Sequence, residues 1–158
     1  MSTAETFTVS QPRVAAGALF LNSSGQVLLV KPSYKPLWDI PGGYVEPGET
    51  PRQACVREVA EELGLARTIG RPLVIDWAPA SGEGDKLLFV FEGGVLTRED
   101  LTKVTLQTEE LEQVRFFSPA SFAEVLTDRL SRRIAAAVHA VSVGDTTYLE
   151  PLTQPTNV

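Results

Sequence analysis

The order of the predicted elements indicates an α/β fold, in which helices pack against a mixed β-sheet. The chain opens with strands, passes abruptly into one sharply bounded helix, returns to strands and then ends in helical segments. It has 158 residues, of which 43% are hydrophobic and 22% charged, as expected for a globular domain with its own core. We therefore expect one domain.

Two strands open the predicted sheet. The apolar run RVAAGALFLN (13–22) predicts a buried strand, SSG (23–25) predicts a turn, and QVLLVK (26–31) predicts the returning strand of a hairpin. Residues 32–50 are rich in Pro and Gly, which predicts a long structured loop with short extended pieces. This loop leads directly into the first helix.

The first helix is predicted over residues 51–63. Thr50 is a favoured N-cap, Pro51 suits the first helical position, and Gln53 completes a capping-box pattern. Gly64 is a natural residue to end the helix, because glycine adopts the left-handed conformation readily.

The second half of the chain contains three further predicted strands and two predicted helices. The strands are residues 71–79, 86–94 and 111–118. The helices are residues 118–126, which begin with a Ser-Pro signal, and 128–141, where apolar residues recur at helical spacing. The Thr- and Pro-rich tail, 146–158, is expected either to pack as an extended strap or to stay mobile, so the domain is predicted to occupy residues 1–145.

Three carboxylates cluster on one side of the first helix, although like charges at such spacing destabilise a helix. They are Glu58, Glu61 and Glu62. The opposite side is expected to face the core. It comprises Val56, Val59, Ala60 and Leu63. Oxygen ligands grouped on a rigid element suit Mg²⁺ or Mn²⁺, and a solvated acidic face is the alternative.

Composition excludes several other kinds of site. Cys55 is the only cysteine and His139 the only histidine, so one chain cannot form an internal disulfide, a cysteine-based zinc cluster or a two-histidine zinc site. The net charge of −6 argues against general nucleic-acid binding. No apolar run is long enough to cross a membrane and no secretory signal is visible, so we expect a cytoplasmic location.

The segment GYVEPGETPRQACVREVAEELGL (43–65) resembles the complete signature of the MutT-like Nudix hydrolases. All nine signature positions match, an agreement expected by chance on the order of once in a billion start points at ordinary residue frequencies. The matching residues are Gly43, Glu49, Arg57, Glu58, Val59, Glu61, Glu62, Gly64 and Leu65. The flanking segments LWDIPGG and EELEQVRFFSPASF resemble the family more weakly.

The resemblance implies a Nudix-type α/β/α sandwich around a mixed β-sheet. It also implies a hydrolase of acid anhydrides that uses Mg²⁺, or Mn²⁺, to cleave a nucleoside diphosphate linked to another moiety X. By this resemblance Glu58, Glu61 and Glu62 are the metal-binding carboxylates, and the Gly42 carbonyl is a backbone ligand. Glu49 and Arg57 resemble the pair that braces the loop against the helix and orients the acids. Arg57 in a plain surface ion pair is the alternative.

Glu58 is the first choice for the general base that accepts a proton from the attacking water. Some family members use a carboxylate outside the signature instead. The candidates here are Glu92, Glu109, Glu110 and Glu112.

Aromatic and basic residues near the signature are candidates for substrate binding. Trp38, Tyr34 and Trp77 are candidates for stacking on a base, and an anchor in the core or loop is the alternative for Trp38. Lys31 and Lys35 are expected to attract the phosphates.

The markers of Nudix subgroups leave the substrate open. ADP-ribose pyrophosphatases often carry a Pro about fifteen residues after the signature, where this chain has Ala80, with Pro79 one position earlier. This near match slightly favours ADP-ribose or nucleotide sugars, and (d)NTPs stay open. A catalytically silent, nucleotide-binding regulator is the alternative function. We expect no membrane partner and no stable nucleic-acid binding, and both a monomer and a homodimer stay open.

Overall fold

The computed structural model describes residues 8–152 and confirms the α/β class. The strands are β1 (Arg13–Leu21), β2 (Val27–Pro32), β3 (Gly42–Tyr44), β4 (Pro72–Trp77), β5 (Lys86–Val95), β6 (Leu111–Phe117) and β7 (Thr147–Leu149). The helices are α1 (Pro51–Leu63), α2 (Arg98–Thr102), α3 (Phe122–Val125) and α4 (Asp128–Val143). None of the helices in residues 8–152 combines the length and apolar character needed to span a membrane.

The strands form one mixed sheet in the order β6-β2-β1-β5-β4-β7, and β3 pairs with β1 beside this path. β1 forms the predicted antiparallel hairpin with β2 and runs parallel to β5. β3 pairs with the first half of β1, with Tyr44 opposite Ala15 and Gly42 opposite Gly17. The loop before α1 is thereby drawn onto the centre of the sheet.

Side chains alternate between the two faces of β1 and so feed two separate cores. Ala18 and Phe20 pack with Val59 and Leu63 of α1 on one face. Leu19 packs with Ile134 of α4 on the other face. The sheet is therefore covered by α1 on one side and by α4 on the other, which is the predicted three-layer sandwich.

Most element bounds follow the predictions closely, and α1 has the predicted ends. The Ser-Pro segment forms a 3₁₀ turn, Pro119–Ser121, followed by the single turn of α3 rather than one continuous helix. α2 and β7 were not predicted from the sequence. β7 extends the sheet beyond the expected boundary at residue 145, and residues 153–158 of the tail lie outside the described part of the chain.

The expected orientation of α1 is wrong for part of its surface. Val59 and Leu63 are buried as expected, whereas Val56 is 40% exposed and Ala60 is also exposed. The buried side of α1 comprises Ala54, Cys55, Val59, Glu62 and Leu63. Because α1 lies over β1 and β3, its contact surface is rotated toward the acids, and Glu62 is buried with the apolar residues.

Candidate active site

Arg57 joins α1 to the loop that precedes it. Its Nε donates to Glu49 Oε2 at 2.8 Å, and its Nη2 donates to Glu49 Oε1 at 2.9 Å. The same Nη2 donates to the Tyr44 carbonyl at 3.1 Å. This two-point hydrogen bond lowers the pKa of Glu49 to about 2, so Glu49 stays ionised at neutral pH.

The remaining amino group of Arg57 faces the acidic cluster. Nη1 donates to Glu58 Oε1 at 3.0 Å and to Glu61 Oε2 at 3.3 Å, and it lies 3.7 Å from Glu46 Oε1. One guanidinium therefore faces four carboxylates, those of Glu46, Glu49, Glu58 and Glu61. The cluster carries an excess of negative charge that these contacts leave uncompensated.

Glu62 adds a fifth carboxylate and is the most buried of the acids. Its Oε2 accepts a hydrogen bond from the Gly42 amide at 3.2 Å, and no basic side chain in residues 8–152 forms an ion pair with it. Burial raises the pKa of Glu62 to about 8, and the nearby Glu58 charge adds to this effect. Burial also raises the pKa of Glu58.

Two glycines let the backbone approach the acids. Gly42 has φ 157°, and a Cβ there would collide with the Ala16 carbonyl oxygen across the β1–β3 pair. A Cβ on Gly43 would collide with the Glu58 carboxylate. A side chain at either position would therefore push β3 away from β1 or from α1, which explains why both positions are glycine.

A cleft of about 290 Å³ opens on the α4 face of the sheet. Gly42 and Gly43 line one part of it, so the same short backbone segment contacts both the cleft and the acids. Leu88 of β5 and Leu130 of α4 line the interior, and Arg133 of α4 also reaches it. None of the five clustered glutamates lines the cleft, which extends from the backbone segment beside them across the sheet to Arg133.

A family model described as the NUDIX domain matches residues 11–138. The chain belongs to the Nudix family.

Three relatives place this Nudix chain among known proteins. A Bacillus subtilis (strain 168) protein with the provisional name 8-oxo-dGTP diphosphatase is 40% identical over 74 residues, which cover 47% of this chain and 50% of the relative. The crystal structure of a UDP-X diphosphatase is 20% identical, with a TM-score of 0.73 and coverage of 92% and 70%. The Nudix domain of Shewanella oneidensis NrtR, in complex with ADP ribose, is 19% identical, with a TM-score of 0.67 and coverage of 84% and 90%.

The two structural likenesses show the fold, and the chain spans about half the length of the curated relative. Nudix proteins generally use a divalent metal ion, and relatives bind nucleotides such as ADP-ribose.

The donor chemistry of the acidic cluster fits such a metal ion. Glu58, Glu61 and Glu62 offer oxygen ligands with excess negative charge, which suits a hard cation. No three His, Cys, Asp or Glu side chains in residues 8–152 converge on one point, however. Arg57 holds Glu58 and Glu61, and Glu62 is bonded to Gly42 instead.

Only two of the five predicted substrate contacts line the cleft of this Nudix domain. Tyr34 and Lys35 lie there, close to Gly42. Trp38 instead packs edge-on against Phe117, with 4.8 Å between ring centroids, and belongs to the α4-side core. It therefore anchors the loop, because its large apolar ring is drawn into the nearest core.

Trp77 and Lys31 also lie away from the cleft. Trp77 lines a separate cavity of about 340 Å³ beside the start of α4. The Lys31 ammonium donates to the Pro32 carbonyl at 2.8 Å and lies 4.0 Å from Glu112 Oε2. Several residues that line the cleft were not among the predicted contacts, including Tyr44, Phe89 and Arg133. Phe89 and Arg133 stand far from the signature in sequence, and Tyr44 occupies a signature position that any residue type can fill.

The alternative general bases differ in their proximity to the cluster. The charge of Glu110 raises the pKa of both Glu58 and Glu62, which places this carboxylate near the acids. Glu92 instead lies 3.6 Å from Arg71, and Glu112 is the residue beside Lys31. Asp39, which lines the cleft, does act on Glu62 and was not among the predicted candidates.

Proposed function

We propose that this Nudix protein is a Mg²⁺-dependent pyrophosphohydrolase. It cleaves the phosphoanhydride bond of a nucleoside diphosphate linked to another moiety X, through attack of water on phosphorus. The observation that carries the proposal is the excess of carboxylates over basic groups beside the Gly42–Gly43 segment, which also lines the cleft. A phosphoanhydride is itself anionic, so these acids require a bound cation before such a substrate can approach.

Glu58, Glu61, Glu62 and the Gly42 carbonyl would hold the cation, with Mn²⁺ as a substitute for Mg²⁺. A bound divalent metal polarises phosphoryl oxygens and lowers the pKa of water. Arg57 and Glu49 would keep the three acids oriented, because their ion pair fixes the helix against the loop. The side chain of Arg57 is 23% exposed, which favours this bracing role over a plain surface ion pair.

Glu58 would accept the proton from the attacking water. Its carboxylate is partly buried and its pKa is raised, so it binds a proton more readily than an exposed glutamate would. Its contact with Gly43, which lines the cleft, also supports this choice. Glu110 is the alternative acceptor that its proximity to Glu58 supports best.

Substrates of the nucleotide class are proposed from the cleft and from the relatives. Tyr34 and Tyr44 offer aromatic surface for a base, and Lys35 offers a positive charge for a phosphate. The relatives are named for 8-oxo-dGTP and UDP-X, and a third binds ADP ribose. ADP-ribose, nucleotide sugars and (d)NTPs are therefore the classes to assay.

A catalytically silent, nucleotide-binding regulator is the second candidate. It is supported by the side-chain arrangement, in which Arg57 occupies Glu58 and Glu61 and no three acids converge within residues 8–152. Complete retention of the signature glutamates supports the enzyme instead. A cytoplasmic location stays a prediction. A monomer and a homodimer both stay open, and light scattering after size-exclusion chromatography distinguishes them.

The deciding experiment is hydrolysis of ADP-ribose, nucleotide sugars, dinucleoside polyphosphates and (d)NTPs, followed as phosphate released by an auxiliary phosphatase or pyrophosphatase. We expect Mg²⁺-dependent turnover of at least one substrate. Glu58→Gln should reduce it by about 10²-fold or more while leaving the helical circular dichroism unchanged. The matched control is Glu99→Gln, whose side chain is 82% exposed on α2.

Full turnover by Glu58→Gln in Mg²⁺ would refute the assignment of Glu58. Tight nucleotide binding without turnover of any substrate would favour the regulator.

A further inference from the structure

Arg133 is a largely buried basic residue that lines the cleft. Its Nε donates to Asp76 Oδ2 at 2.7 Å, and the two side chains are only 11% and 6% exposed. Breaking such a buried pair would leave an uncompensated charge, so Asp76 holds the guanidinium in one position. An arginine fixed in this way presents its remaining donors in a planar fork.

The two terminal amino groups of Arg133 are available to a ligand. Within residues 8–152 the Arg133 side chain donates a hydrogen bond only through Nε, and neither Nη1 nor Nη2 has a hydrogen-bond acceptor. In the same part of the chain no fully buried side-chain nitrogen or oxygen lacks a partner. These amino groups are therefore open to the cleft that Arg133 lines, where an acceptor could reach them.

The register of the sheet shows how far this fork lies from the acids. Tyr44, Ala15, Leu88 and Asp76 stand opposite one another in β3, β1, β5 and β4. Three strand spacings of about 4.8 Å separate Tyr44 from Asp76 by about 14 Å. Tyr44 follows Gly43, which contacts Glu58, so the backbone beside the acids and the Asp76–Arg133 pair are about three strands apart. This spacing favours contact of Arg133 with a part of the substrate other than a phosphate held at the acids.

The surface between the two ends favours a flat, largely apolar group. Ala15, Leu88 and Leu130 line this part of the cleft. A base lying there would point one edge at the guanidinium fork. Guanine offers two adjacent acceptors, O6 and N7, whereas adenine offers N7 beside the N6 amino donor, which opposes a second N–H donor.

We propose that Arg133, positioned by Asp76, is a specificity-determining residue that selects bases with adjacent acceptors and so favours guanine over adenine nucleotides. The proposal rests on the proposed function in taking a nucleotide as the ligand. It adds which end of the nucleotide lies at α4 and which base fits there.

Calorimetric titration with GMP and AMP in the absence of metal tests the base preference apart from catalysis. The two ligands carry the same phosphate, so a difference between them reports on the base. We expect the wild-type protein to bind GMP about tenfold or more tightly than AMP. Arg133→Lys keeps the charge opposite Asp76 but not the fork, and it should lose most of this preference with AMP affinity unchanged.

Arg133→Met combined with Asp76→Leu removes the buried pair without leaving an unpaired charge. It should abolish the preference while thermal unfolding stays cooperative. If this variant does not fold, Arg133→Lys carries the test. Equal binding of GMP and AMP by the wild type, or equal loss of both in Arg133→Lys, would overturn the proposal, because equal loss indicates a contact to phosphate or ribose.

Turnover separates this proposal from the proposed function. With guanine and adenine substrates that share the same X, Arg133→Lys should raise KM for the guanine substrate and leave kcat nearly unchanged. Selective GMP binding without any hydrolysis would refute the enzyme and keep the base assignment. Hydrolysis at equal kcat/KM for both bases would support the enzyme and refute the base assignment.

Discussion

At the scale of single residues, Arg57 shows why this position needs a guanidinium. Its Nε and Nη2 are used on Glu49 and the Tyr44 carbonyl, and Nη1 is shared by Glu58 and Glu61. A lysine ammonium could not bind Glu49 at two points and reach the other acids from the same place. The signature arginine therefore acts on the loop and on the acids at once.

Glu62 provides a pH-dependent test of the acidic cluster. Its pKa is raised by burial from 4.5 to about 8 in the metal-free folded protein, so folding favours the protonated carboxyl. Its contribution to stability is therefore complete below about pH 4.5 and is lost as the pH rises toward about 8. The melting temperature should therefore fall as the pH rises toward about 8, and Glu62→Gln should remove the part of this fall that Glu62 causes.

Thermal unfolding of the wild type and of Glu62→Gln between pH 5 and pH 8, in the presence of a chelator, measures this difference. Mg²⁺ should raise the melting temperature of the wild type at pH 8 more than that of the variant, because the cation favours the ionised carboxylate. Parallel pH curves for the two proteins would contradict the assigned burial effect.

At the scale of elements, α1 and α2 begin with the same kind of cap. Thr50 accepts a hydrogen bond from the Gln53 amide at 3.1 Å, and the Gln53 side chain accepts one from the Thr50 amide at 2.8 Å. Thr97 and Asp100 form the equivalent pair at the start of α2. Because the two caps are alike, removing each in turn shows whether the cap of α1 affects the site beyond its effect on stability.

Thr50→Ala should destabilise the protein by about 1 kcal/mol, since it leaves the first turn of α1 without its cap. Turnover per folded molecule should fall as well, because the freed turn adjoins the loop that Arg57 holds. Thr97→Ala is the matched control and should cost similar stability without affecting turnover. Chemical denaturation and initial rates measure both effects. Equal effects of the two substitutions on turnover would show that the α1 cap has no special bearing on the site.

At the scale of the whole molecule, β7 completes the sheet. It runs parallel to β4, where Tyr148 stands opposite Ile75. The Thr146 hydroxyl donates to the Pro72 carbonyl at 2.6 Å, and Arg71 donates to the Ala140 carbonyl at 2.8 Å. Without β7, the long edge of β4 would be unprotected.

Truncation after residue 145, the boundary predicted from the sequence, should therefore lower the melting temperature and increase aggregation. Differential scanning calorimetry and light scattering measure the two effects. A second truncation after Leu152 separates the contribution of β7 from that of the residues beyond it. An unchanged melting temperature in the shorter protein would show that the domain is complete at residue 145.

The sequence by itself determined the family, the ends of α1 and the first hairpin. These features depend on residues that are close along the chain, such as Thr50 with Gln53 and the spacing of the signature acids. The α/β/α arrangement was also predicted, because the order of the elements indicated helices on a mixed sheet and the resemblance to the Nudix signature implied the three-layer sandwich.

Only the tertiary structure decided which side chains meet at the site. Arg133 and Asp76 are 57 residues apart, and no local pattern announces that they pair. The rotation of α1, which buries Glu62 and exposes Val56, depends on the strands beneath the helix rather than on the helix itself. Trp38 likewise packs in the α4-side core, whereas Tyr34 and Tyr44 line the cleft. The sequence could not distinguish these positions, because burial of a large ring depends on contacts distant in sequence.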